Sequence, residues 1–118
     1  MGAPLEIEVD DVQGSSVLRL RGELDLMGVD PLERALAAAQ VTGSRKVVID
    51  LRGLTFIDSS GLSVLLRAHS SGRNGAPRLE LIPGNPTIHR VFQIASLTEK
   101  LTWIDDDPTN DEQTDLVT

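Results

Sequence analysis

The stretch Val47–Leu66, VVIDLRGLTFIDSSGLSVLL, carries the residues best suited to chemistry. Asp58, Ser59, Ser60 and Gly61 lie between an apolar run and the apolar spacing of a helix. A polar, glycine-containing loop at a helix start offers unpaired backbone N–H groups and a partial positive charge, which together receive an anion. The same residue types also cap helices, and Gly61 eases the turn. The two roles are compatible, because a capping hydroxyl still faces water.

Enzymatic chemistry fits this loop poorly. A nucleophile elbow requires Gly-x-Ser-x-Gly, and around Ser59 the first glycine is replaced by Ile57 while Gly61 fills only the second place. A Ser-His-Asp set would have to recruit His89, and one histidine on a helical face is more often structural. Neither the Gly-x-x-x-x-Gly-Lys phosphate loop nor the Gly-x-Gly-x-x-Gly dinucleotide turn occurs. No catalytic residue, cofactor or metal ligand is assigned.

The elements that must position this loop follow from periodicity. Leu5, Ile7 and Val9 alternate with Glu6, Glu8 and Asp10, a strand with one wet face. Gly14 and two serines turn the chain into a second strand, Val17–Arg21, hairpinned to the first and ended by Gly22. Asp30, Pro31 and Glu33 predict a capped helix start, followed by an apolar face of Leu32, Ala35, Leu36 and Ala39 and a stop at Gly43. Val47, Val48, Ile49 and Leu51, with Asp50 among them, predict a strand buried on both faces. A second helix begins near Ser60 with Leu62, Leu65, Leu66 and His69 on one face. A strand at Leu79–Ile82 and a helix from Pro86, with Ile88, Val91, Phe92 and Ala95, come next. Leu101, Trp103 and Ile104 predict a last short strand. A hairpin followed by alternating helix and strand predicts an α/β fold, a mixed sheet with crossover helices mainly on one face.

Composition bounds the function classes. The 118 residues fit one domain, with 40% apolar and only 3% aromatic residues, so Leu, Val, Ile and Ala must build the core. Acidity (net charge −7) with scarce aromatic rings argues against nucleic acid. With no cysteine, disulfides, thiolate zinc sites and Cys nucleophiles are excluded. No run approaches the roughly 18 apolar residues of a membrane span. The opening MGAPLEIEVDD lacks the pattern of a secretion signal, so a cytoplasmic domain is expected. Six of the 18 acids fall in DDDPTNDEQTDLVT from Asp105 onward. The domain is therefore drawn as residues 1–104, with 105–118 an acidic tail or weak terminal helix that folding does not need.

Three pieces in order, GELD at Gly22–Asp25, VVIDLRGLTFIDSSGL at Val47–Leu62 and PTIHRVFQIASL at Pro86–Leu97, carry a resemblance. Over Leu5–Ile104 the chain resembles the STAS domain of the small bacterial anti-sigma factor antagonists (anti-anti-sigma factors) of the sporulation and stress-response pathways. The resemblance implies partner switching rather than catalysis. Such proteins bind an anti-sigma factor serine kinase and so release a sigma factor for transcription. The kinase phosphorylates the serine directly after the loop Asp, and a PP2C-type phosphatase restores it. Here that serine is Ser59, with Ser60 a minor candidate, and Asp58 and Gly61 complete the loop. Glu23 and Asp25 lie beside the loop in that fold and either join the docking surface or serve structure. Leu24 and Met27 are open to either core or contact, while Arg67, His69 and Arg73 read as surface. Other members of the superfamily are domains of anion transporters, a case that the lack of a membrane segment removes here, and a simple antagonist is expected to be a monomer or small oligomer. A stressosome-type scaffold is the alternative within the superfamily, and a small hydrolase or nucleotide-binding enzyme using Asp58–Gly61 is the alternative outside it.

Overall fold

A computed structural model of the chain describes residues 2–110. The order is β1 (Glu6–Val12), β2 (Ser15–Leu24), α1 (Leu26–Val41), β3 (Lys46–Ile57), α2 (Ser59–Ser71), β4 (Arg78–Ile82) and α3 (Pro86–Ile94), with short 3₁₀ turns after α2, after α3 and at Pro108–Asn110. The four strands lie side by side in chain order. β1 and β2 form the antiparallel hairpin, with Ile7 opposite Leu20 and Val9 opposite Leu18. β2–β3 and β3–β4 are parallel, each joined through a helix, as the alternation of elements requires.

The core follows from the period-two alternation of the strands. Leu18, Leu20, Val47, Ile49, Leu51, Leu79 and Leu81 meet Leu32 of α1, Leu62, Val64 and Leu65 of α2, and Ile88 and Phe92 of α3. The alternate residues Val17, Val48 and Ile82 form a second, smaller cluster under Ile104. Three helices therefore share one sheet face, and the segment after α3 crosses the other. All of Val47–Leu51 is buried, as a strand covered on both faces must be.

Three expectations change. First, α1 starts at Leu26, not at Asp30. Its cap is Asp25, whose Oδ1 accepts the Met27 N–H at 3.0 Å. Pro31 thus sits inside the helix, where it removes one intrahelical bond but keeps a helical φ, a cost that the earlier cap and the buried Leu32 and Ala39 offset. Second, Leu101–Ile104 makes a single bridge, Trp103 beside Leu81, rather than a strand. The chain there is drawn toward α3, where the Trp103 ring stands edge-on to Phe92 (centroids 5.1 Å apart) and His89 (4.8 Å). Trp103 Nε1 also donates to Thr98 O at 2.9 Å.

Third, the packed body runs past Ile104. Asp107 is only 6% exposed. Its Oδ2 accepts from Arg19 Nη1 at 2.6 Å and from Arg52 Nη2 at 2.8 Å, while Oδ1 accepts the Thr109 hydroxyl and N–H at 2.6 and 2.9 Å. Burial works to raise the Asp107 pKa, but the bonds from Arg19 and Thr109 override it and hold the carboxyl well below the usual range. Asp50 is subject to the same contest, burial against Arg52 and Arg19, and is likewise held low. Charge composition predicts a solvated segment because it cannot reveal that half-buried Arg19 and exposed Arg52 converge on one of the acids. Asp111, Glu112 and Asp115 lie outside the described residues.

Candidate functional site

β2 and β3 run in parallel and end level, Leu24 opposite Ile57, so Asp25 and Asp58 emerge next to each other. Each is the N-cap of the helix that follows. Asp58 Oδ1 accepts the N–H groups of Ser60 and Gly61 at 2.9 and 3.2 Å, satisfying two of the orphan donors of α2. Asp58 N–H in turn donates to Leu24 O at 3.2 Å, which ties the loop to the end of β2.

The carboxylate of Asp58 does the capping, and the serines do not. Ser59 is the first residue of α2 and is exposed, and its hydroxyl makes no hydrogen bond among the described residues. Ser60 is half-buried. Gly61 is buried for a spatial reason: a Cβ there would lie 2.7 Å from Leu24 Cγ and 2.9 Å from Leu24 O. Any side chain would push the first turn of α2 off the strand end and carry Ser59 with it.

The residues around this hydroxyl are of two kinds. Glu23 and Asp25 are half-buried at the end of β2 and start of α1, and with Asp58 they give this edge of the sheet three carboxylates. Beside them Leu26 (70% exposed) and Met27 (83%) open α1, and Phe56 (44%), opposite Glu23, precedes the loop. Leu24 and Met27, left open by the sequence, separate here: Leu24 is fully buried and Met27 stands out in solvent. The structure thus brings Glu23, Asp25, Asp58, Ser59, Ser60 and Gly61 to one edge and adds an exposed apolar collar. Leu26 and Phe56 were not legible as surface residues, because their types alone suit the core.

His89 lies away from this chemistry, on α3, its ring held between Phe92 and Trp103. His69 Nε2 is 3.0 Å from Thr102 Oγ1, and exposed Arg67 pairs with Glu33 at 3.3 Å. No helix among the described residues is long and apolar enough to cross a membrane.

A family model described as "Mlab, STAS domain" matches residues 7–103. The chain belongs to the STAS domain family. Among the relatives in that family, the anti-sigma F factor antagonist of Paenibacillus polymyxa is 31% identical over 94 residues, covering 79% of this chain and 80% of the relative. The anti-sigma F factor antagonist of Lysinibacillus sphaericus is 37% identical over 82 residues, 69% and 70% of the two chains. The fold matches the solved anti-sigma factor antagonist SpoIIAA in its unphosphorylated form, with a TM-score of 0.72 at 26% identity over 95% of this chain and 96% of that one. The Bacillus cell fate determinant SpoIIAA in its phosphorylated form aligns at a TM-score of 0.65 and 26% identity, covering 96% and 100%. The mixed four-stranded sheet with its three helices is therefore the STAS fold.

Proposed function

We propose that this protein is an anti-sigma factor antagonist, a regulatory rather than catalytic protein, with Ser59 as its switch. Unphosphorylated, it binds an anti-sigma factor serine kinase and releases a sigma factor; phosphorylated by that kinase, it lets go; a PP2C-type phosphatase resets it. The observation that carries this reading is the Ser59 hydroxyl, exposed at the start of α2, flanked by Asp58 and by the apolar collar of Leu26, Met27 and Phe56. Support comes from a similar solved protein that exists in phosphorylated and unphosphorylated forms.

The physics of the switch is local. Phosphorylation adds roughly −1.5 to −2 charge at pH 7. At Ser59 that charge joins Glu23, Asp25 and Asp58, on a surface whose apolar collar suits a desolvated interface. The dipole and N–H groups at the start of α2 offset the intramolecular cost, so the fold survives while the interface meets an unpaired dianion. No rearrangement of the sheet is required. The interaction takes place in the cytoplasm, between a monomer or small oligomer and the kinase.

Co-purification from a native lysate, read by mass spectrometry, identifies the kinase. Treated with that kinase, wild type and Ser60→Ala are expected to gain one phosphate and Ser59→Ala none. Labelling of Ser60 with Ser59 spared would contradict the assignment.

A further inference from the structure

β3 carries two residues more than β2 over their shared ladder. Arg19 faces Asp50 but Arg21 faces Gly53, and Gly22 faces Leu54 but Glu23 faces Phe56. Each step inserts one extra residue into β3, a bulge of a kind rare between parallel strands. Only the two insertions together bring Ile57 opposite Leu24 and the Asp58 N–H onto Leu24 O. A slip of one residue would move the end of β3 by about 3.3 Å and turn its side chains to the opposite face. Asp58 would then leave its position as the cap of α2.

The first bulge is fastened by side chains. Arg52, inside it, donates its backbone N–H to Asp50 Oδ1 at 3.0 Å and closes on the same carboxylate through Nε and Nη2, both at 2.9 Å. Arg19 of β2, facing Asp50 across the ladder, reaches Asp50 Oδ2 at 3.2 Å. Asp107 completes the cluster from the C-terminal segment, bridging Arg19 and Arg52 with one oxygen. Two carboxylates, Asp50 within β3 and Asp107 from outside the sheet, thus tie β2 to the bulged residue of β3. Just beyond, the strands are so close that a Cβ on Gly53 would lie 2.7 Å from Leu20 O.

We propose that Asp107 is a positioning residue for the switch loop: by clasping Arg52 to Arg19 it holds the β3 bulge, and with it the register that delivers Ser59. The significance of this for signalling rests on the reading of Ser59 given above.

Amide hydrogen exchange by NMR on the full chain tests it. Asp107→Asn keeps the shape and removes the charge, and Asp107→Ala removes both. Val91→Ala on α3 serves as a control for general destabilisation, with urea used to match global stability across the set. Asp58, Ser60 and Gly61 are expected to exchange at least about tenfold faster in Asp107→Asn than in the matched control. Equal rates at these three amides in Asp107→Asn and the control, or rates unchanged from wild type, would overturn the proposal. The exchange readout needs no kinase, so it is decided separately from phosphorylation of Ser59.

Discussion

At the scale of single residues, the loop divides its labour. Asp58 satisfies the helix and leaves Ser59 with nothing to hold, and an exposed hydroxyl with no structural duty can be modified without unfolding its host. Asp58→Ala should therefore cost about 1 kcal/mol, the usual loss of an N-cap. Ser60 contributes its N–H to the cap rather than its hydroxyl, so Ser60→Ala should stay within about 0.5 kcal/mol, as for other surface changes. Urea titration of the two variants distinguishes them, and equal losses would move the capping role to the serine. The sequence presents Asp, Ser and Ser as equivalent caps. Geometry selects among them, because only the carboxylate precedes the first helical residue.

At the scale of elements, α2 is the lever that presents the loop, and its hold on the sheet is Leu65, fully buried among the β-strand side chains. Leu65→Ala should cost about 2–5 kcal/mol by denaturant titration, the range for emptying a packed leucine site. A loss near zero would mean that α2 presents another face. Much of this level was legible: the 3.6-residue spacing of Leu62, Leu65 and Leu66 located α2, and alternation located the hairpin. What was not legible has physical causes. The start of α1 depended on which of two aspartates stands at the end of β2, a matter of strand length. The bulges of β3 do leave a trace, since Leu51, Leu54 and Ile57, all buried, recur every third residue instead of every second. The polar fastening of the first one is completed by Asp107, 55 residues beyond Arg52, which no local pattern announces.

The C-terminal segment belongs to this scale too. A chain ending at Asp106 should lose about 2 kcal/mol, because half-buried Arg19 would lose a charged partner, whereas exposed Arg52 can turn to water. Acid should reveal the same bond. The Asp107 carboxyl lies below its ordinary value of 3.8 in the folded chain, so folding favours its charged form. Its contribution is complete above the unfolded value and drains away as pH falls below it. The stability gap between wild type and Asp107→Asn should thus be widest near about pH 6 and narrow by about pH 3. A gap that stays constant or widens in acid would show that the carboxylate is not what holds the segment.

At the scale of the whole molecule, one sheet carries two unlike faces and one working edge. The helical face supplies the apolar core, the opposite face is held by Ile104 and the arginine–aspartate cluster, and the strand ends Leu24 and Ile57 carry everything assigned to signalling. With Ser59 as the switch, charge placed on it breaks a protein interface while the fold persists. Calorimetry of the free and the Ser59-phosphorylated chain against the cognate anti-sigma kinase tests this most directly, with circular dichroism confirming equal folding. The phosphorylated form should bind about 2–4 kcal/mol more weakly, the order for an uncompensated charge in a buried interface, with its unfolding midpoint nearly unchanged. Equal affinity of the two forms would contradict the switch.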